Sequence, residues 1–168
     1  MKLQSVIHWL FKRKSVSGID DTPQSNVTLS RYMGRWYEQA RFENWFEAGM
    51  EQVYTNYIEC RDGSISVVNH GITDKGINKE AKGKAYLVSP GELRVSFVPP
   101  YWWFKAPYRI LYTAPDYSAA LVSGEGDEHL WLLTRQKHPD SKCIATLVRE
   151  ARLRGFDTSR LRYTSHGG

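Results

Sequence analysis

The chain has 168 residues, of which 41% are hydrophobic and 24% charged; that is the length of one domain with a real core and excludes a disordered polypeptide. Its net charge of +5 is scattered, apart from Lys12-Arg13-Lys14 and the stretch from Arg149 to Arg162. No recognised nucleic-acid module accompanies it, so nucleic acid is excluded as a partner.

In chain order, Leu3, Val6, Ile7, Leu10 and Phe11 come first, recurring at helical spacing between Lys2 and the basic triplet. The unbroken apolar run is far shorter than the ~20 residues that span a bilayer. It is also a poor signal peptide, because His8 interrupts it, the basic triplet follows it and no small-residue cleavage site comes after. Two readings stand: an interfacial amphipathic helix drawn to anionic lipid, or a frayed terminal extension. Residues 15–28 are rich in turn formers and read as a linker, which makes 1–28 an extension and 29–168 the folded domain.

Short alternating runs then recur with turn residues between them, the pattern of an all-β sandwich or barrel. Strands are predicted near 36–43, 52–60, 64–70, 79–88, 92–98, 107–113, 119–123 and 128–135. Eight strands suit an antiparallel up-and-down β-barrel able to hold one small ligand. An aromatic content of 13%, with six Trp and ten Tyr, suits an aromatic-lined interior. Pro139-Asp140-Ser141 opens an amphipathic helix carrying Ile144, Leu147, Val148 and Ala151 on one face, and Gly155 stops it. Its expected role is to cover the outside of the barrel. Residues 160–164 are read as a short last strand. Cys60 ends a predicted strand and Cys143 lies in the predicted helix, so two free thiols are preferred to a single bridge.

Gly34-x-Trp36 places an indole where the chain enters the first strand, and Arg135 lies near the end of the last long one. First and last strands of such a barrel are neighbours, so the guanidinium is expected across the ring. Gly34, Trp36 and Arg135 would then plug one end of the barrel.

Gly34-Arg35-Trp36-Tyr37-Glu38, Pro115-Asp116-Tyr117 and Thr134-Arg135, in that order and each at the expected strand, resemble the three conserved segments of lipocalins. Gly83-Lys84-Ala85 and Leu130-Trp131-Leu132-Leu133 look most like the bacterial outer-membrane and apolipoprotein D-like group. The resemblance covers residues 30 to about 165 and implies a barrel with a C-terminal helix that carries fatty acids or lysophospholipids in membrane maintenance or stress. It implies the cell envelope or outer membrane as location. Bacterial members begin with a lipoprotein signal and a lipidated Cys, and no Cys stands near the N-terminus here. Plant-type members also lack a signal peptide, and the cytoplasmic side is the alternative.

If Trp36 points inward, strand alternation turns Glu38, Ala40 and Phe42 inward above it. Matching the other strands to the family's inward positions adds Val53, Thr55, Tyr57, Val67, Asn69, Leu93, Val95 and Phe97, then Ile110, Tyr112, Leu121, His129, Trp131 and Leu133. The set is mostly apolar, as an acyl-chain site requires; the alternative is a closed core filled by the same residues. Glu38 calls for a structural partner in Arg35, Arg41 or Arg109. Loops 44–51, 71–78, 98–106 and 124–127 would surround the open mouth. Trp45, Phe46, Tyr101, Trp102, Trp103 and Phe104 give two of them more aromatic area than solvent tolerates. A bound lipid, a bilayer interface met with help from Lys105, or a second copy in a homodimer would cover them; folding inward as a lid is the other reading. The expected function is a non-enzymatic carrier of small hydrophobic ligands, with no metal or cofactor. The alternatives are a lipocalin-type isomerase or de-epoxidase, drawing on His129, Tyr57, Tyr112 or Glu38, and a haem-binding barrel using His70 or His129.

Overall fold

Nine antiparallel strands form one sheet in the computed structural model, which describes residues 18–44, 46–97 and 105–168. The strands are β1 (Gly34–Phe42), β2 (Glu51–Glu59), β3 (Ile65–Ile72), β4 (Asn78–Ser89), β5 (Glu92–Ser96), β6 (Ala106–Thr113), β7 (Ala119–Ser123), β8 (Leu130–Thr134) and β9 (Leu161–Tyr163). Each pairs with the next in sequence from β2 to β8, and β1 lies between β8 and β2, closing eight strands into a barrel. Only the first half of β1, Gly34–Tyr37, pairs with β2. From Ala40 to Phe42 its neighbour on that side is β9, so the C-terminal tail fills the seam where β1 and β2 part.

A four-residue helix, α1 (Leu29–Tyr32), leads into β1 at the closed end. The longer helix, α2 (Ser141–Leu153), begins at Asp140, whose carboxylate accepts the Cys143 N–H at 2.7 Å. That is the N-cap its position predicts. Cys60 and Cys143 are both free thiols.

Two apolar cores result. The one inside the barrel contains Tyr32, Trp36, Tyr57, Val67, Leu93, Val95, Ile110 and Leu133. The other lies outside, where Leu147 and Ala151 of α2 cover Ala40, Phe42, Leu121, Leu130 and Leu132, with Tyr112 packed at its edge. Phe42, Tyr112, Ala40 and Leu121 are therefore on the outer face and not in the lumen, a correction to simple alternation. The cause is a bulge in each of two strands. Between Glu38 and Ala40 the partner on β8 advances by one residue, from Leu133 to Leu132. Between Ile110 and Tyr112 the partner on β7 advances from Val122 to Leu121. An extra residue reverses which face the following side chains take, so Arg41 turns in and Phe42 turns out. On β7 all five residues are buried, because the barrel lines one face and α2 covers the other; such a run carries no sign of which face is inner.

The stretch read as a linker is fastened to the barrel over its described part. Gln24 donates its backbone N–H to the Ile110 carbonyl at 2.8 Å and accepts the Thr113 N–H on Oε1 at 2.7 Å. Asp21 pairs with Arg109 at 2.5 Å. Gly91, at φ +78°, makes room: a Cβ there would stand 2.4 Å from the Gln24 carbonyl oxygen. Composition marks such a segment as lacking helix or strand, but not whether its polar groups find partners. Trp45, Tyr101, Trp102, Trp103 and Phe104, and the amphipathic pattern from Leu3 to Phe11, lie outside the described residues.

Candidate functional site in the barrel

At the closed end, the Arg135 guanidinium carbon lies 3.8 Å from the centre of the Trp36 ring. Its nitrogens donate to the Arg35 and Arg31 carbonyls, both at 2.8 Å, and to the Tyr117 carbonyl at 3.3 Å. Gly34, at φ +95°, keeps this space open, since a Cβ there would come within 3.2 Å of Arg135. Trp36 is fully buried and donates its indole N–H to the Tyr32 carbonyl at 2.7 Å. Above this plug the hydroxyls of Tyr32, Tyr57 and Tyr108 meet: Tyr57 donates to Tyr108 at 2.9 Å, and Tyr32 and Tyr108 are 2.6 Å apart. Strand alternation places Tyr57 in the lumen and gives no sign of Tyr32 or Tyr108.

The wall above is built from small and apolar side chains. Register places Ala81, Gly83 and Ala85 of β4 beside Asn69, Val67 and Ile65 of β3, on the face shared with the inner core. Phe97 occupies the space that a side chain at position 83 would need, its ring carbon 2.8 Å from where that Cβ would stand. It is nevertheless 38% exposed, as befits a ring near an opening. Val53 packs beside Gly71 in the same way, 3.3 Å from where a Cβ would be. Thr55 donates to Asn69 Oδ1 at 2.9 Å.

The rim carries charge, and nearly all of it is internally paired. Arg41, fully buried, donates to Glu38 at 2.6 Å, to Glu43 at 3.2 Å and to the Glu47 carbonyl at 2.7 Å. Among the three cations considered for Glu38, the structure selects Arg41. Thr164 donates to the same Glu38 oxygen at 2.5 Å, and a ring nitrogen of His166 lies 2.6 Å from the Glu38 carbonyl oxygen. The β1–β2 loop folds inward: the Glu47 carboxylate accepts from Asn44 at 2.6 Å, from Trp131 Nε1 at 3.1 Å and from Asn69 at 3.5 Å. His129 stacks on Trp131, with ring centres 5.6 Å apart, and on Phe46 at 6.1 Å. Burial holds the His129 imidazole down, at about 4, so it is neutral at physiological pH. His70 is turned to the outer face, stacked on Tyr54 at 4.6 Å and 3.4 Å from Glu80. Lys105 lies 4.2 Å over the Tyr86 ring on the outer wall. Glu47, Thr164 and His166 carry no sign in the sequence that they are site residues, because an inward loop and a tail insertion bring them in, and a bulge turns in Arg41, which the sequence offers as a partner of Glu38.

Burial and the Glu47 carboxylate push the Glu38 carboxyl up to about 8, against the opposing pull of Arg41 and Thr164. The folded state thus holds a proton that the unfolded chain, titrating near 4.5, has released. Stability from this group is complete below the lower value and is lost as pH rises through the higher one. The expected slope between about pH 5 and pH 8 is at most about 1.4 kcal/mol per pH unit. A Glu38→Gln variant should flatten it, as read from urea midpoints across that range; an unchanged slope would show the carboxylate ionised throughout.

A closed antiparallel barrel, plugged by a Trp–Arg pair and lined above it by small apolar side chains, defines a small-ligand-binding barrel of the lipocalin type. The chain belongs to the lipocalin family, whose members bind small hydrophobic ligands: the family model described as a lipocalin-like domain matches residues 27–166. It is 41% identical over 145 residues to the outer membrane lipoprotein Blc of Vibrio cholerae, covering 84% of each chain. It is 28% identical over 154 residues to apolipoprotein D of Macaca fascicularis, covering 84% of this chain and 78% of that one. Among solved structures, insecticyanin from the tobacco hornworm Manduca sexta superposes with a TM-score of 0.72 at 14% identity, over 92% of this chain and 88% of that one. That last likeness is one of fold.

Proposed function

We propose that the protein is a non-enzymatic carrier of fatty acids or lysophospholipids, taking the acyl chain into the barrel with the polar head at the mouth, and serving membrane maintenance or stress. The observation that carries this reading is the inner face of β4. Ala81 and Ala85 leave room that larger residues would fill, Gly83 admits the Phe97 ring, and Val67, Leu93 and Val95 offer apolar contact. Glu38 and Arg41 face each other at 2.6 Å, an arrangement that suits a structural pair better than an acid and base poised for turnover. Phe46, 36% exposed, and Phe97 stand toward the opening, in keeping with a rim that meets a bilayer or a second copy of the chain. The relative in Vibrio cholerae is named as an outer membrane lipoprotein, which favours the cell envelope as the place of action. No helix among the described residues is long and apolar enough to cross a membrane.

Solvent extraction of the purified protein followed by mass spectrometry is expected to recover acyl lipids. After delipidation, saturated fatty acids of increasing length should bind about fourfold more tightly per added methylene until the lumen is full. A barrel recovered empty that also takes up no acyl chain of any length would overturn the proposal.

A further inference from the structure

The carrier reading leaves the floor of the barrel unexplained. An acyl chain ends in a methyl group, and the surface waiting for it is not purely apolar. Three phenolic oxygens converge there, with Tyr108 in the middle, 2.6 Å from the Tyr32 oxygen and 2.9 Å from that of Tyr57. The rings pack against one another, with centroids 5.7, 5.9 and 6.5 Å apart. Val67, Leu93, Val95 and Leu133 surround them. Tyr32 is fully buried and Tyr57 nearly so, while Tyr108 is half-buried.

Counting hydrogens identifies what is missing. Three hydroxyls bring three hydrogens, and two contacts among them use two. Tyr57 gives its hydrogen to Tyr108. One further hydrogen lies between Tyr32 and Tyr108, whichever of the two donates it. The third, on Tyr32 or Tyr108, is used by neither of these two contacts and can turn to an oxygen in the lumen. Thr55, the next hydroxyl up the wall, directs its own hydrogen to Asn69 at 2.9 Å and its side chain also touches the Tyr57 hydroxyl. A ligand oxygen that accepts the third hydrogen gains a hydrogen bond inside an apolar pocket, where such a bond is worth most.

The chemistry of the pocket limits which oxygen fits. Burial raises Tyr32, Tyr57 and Tyr108 far enough that all three stay neutral. The nearest cation, Arg135, lies across the Trp36 ring and directs its hydrogens to backbone carbonyls. A carboxylate at the floor would be buried with no counter-charge in contact. A neutral hydroxyl or carbonyl oxygen brings no charge to bury and can accept a phenolic hydrogen.

We infer that the tyrosine triad is a binding subsite for the far end of the ligand, and that the protein selects acyl chains oxygenated at the tail, such as ω-hydroxy or keto acids. This rests on the carrier reading and names its substrate class. The test is a length series of saturated fatty acids against the matching ω-hydroxy acids, titrated into the delipidated full chain. For chains too short to reach the floor, the hydroxyl is stranded among apolar side chains and the ω-hydroxy acid should bind at least about tenfold more weakly than its parent. At the length that reaches the triad the ratio should recover or invert, by about tenfold relative to the short chains. Tyr108→Phe should abolish that recovery. A keto acid of the same reach should show a carbonyl stretch moved to lower wavenumber in the native protein and not in the variant. The crossover is read on the native chain, so it stands even if the variant does not fold. An ω-hydroxy penalty that is the same at every length would overturn the inference while leaving the carrier intact. Failure of both series to bind at any length would overturn the carrier itself.

Discussion

Replacing Arg41 by alanine is expected to lower the stability of the fold by about 3–5 kcal/mol above about pH 8, where the native Glu38 carboxyl is ionised and would be left buried without its partner. Arg41 is fully buried, and its guanidinium touches Glu38, Glu43 and the Glu47 and Met50 carbonyls. Without it, Glu38 and Glu47 face each other in a dry rim, and the Glu38 carboxyl has lost the group that opposes its protonation. Three regions loosen together, because the pair joins β1, the β1–β2 loop and the C-terminal tail through Thr164. Urea unfolding about one pH unit above the Glu38 titration measures the loss. Two further results would mark the cause as electrostatic. The loss should shrink below about pH 8, where the native Glu38 carboxyl holds a proton, and the double variant Arg41→Ala/Glu38→Gln should recover part of it at the higher pH. Two residues sharing one contact do not add. A loss that is independent of pH and not rescued by Glu38→Gln would point to packing alone.

The second large effect is at the opposite end. Trp36→Ala should cost about 3–5 kcal/mol, the range for deleting a buried aromatic side chain. For a chain of this size that lowers the thermal midpoint by roughly 10 °C. The indole supports several things at once: the ring under Arg135 at 3.8 Å, the hydrogen bond to Tyr32 at 2.7 Å, and the Tyr32 ring itself, with centroids 4.9 Å apart. Removing it takes the roof from Arg135 and the seat from α1. A variant that melts within a degree or two of the native protein would show that Arg135 and α1 close the barrel without the ring.

The plug was legible because its parts are written at fixed places. Gly34, Trp36 and Arg135 are unusual residues at strand ends, and antiparallel topology brings the first and last strands together. The helix was legible for the same reason, through Asp140, its 3.6-residue period and Gly155. Inner residues on unbroken alternation, such as Val67, Leu93 and Val95, followed from period alone. What failed on β1 and β6 was the stretch downstream of a bulge. Gln39 and Leu111 carry no mark that they are extra residues, so Phe42 and Tyr112 were set in the lumen and Arg41 was not. The rim was illegible for a different reason: Glu47 and Thr164 reach the interior from irregular segments, and local pattern says nothing about where an irregular segment turns. The floor was half visible, since Tyr57 lies on a strand and Tyr32 on a helix too short to announce itself.

The bulge at Gln39 bears on anyone who would reshape this lumen to hold a new cargo. A randomised library drawn up by alternation would vary Ala40 and Phe42. It would then alter the seat of the outer helix and leave the cargo's surroundings untouched. Clones selected from it would differ in solubility and folding yield, and be mistaken for differences in affinity. The useful palette along that strand ends at Glu38 and resumes one place out of step, at a residue the fold cannot spare. Recognition is better rewritten from the facing stretches of β3 and β4, where the register runs without a shift.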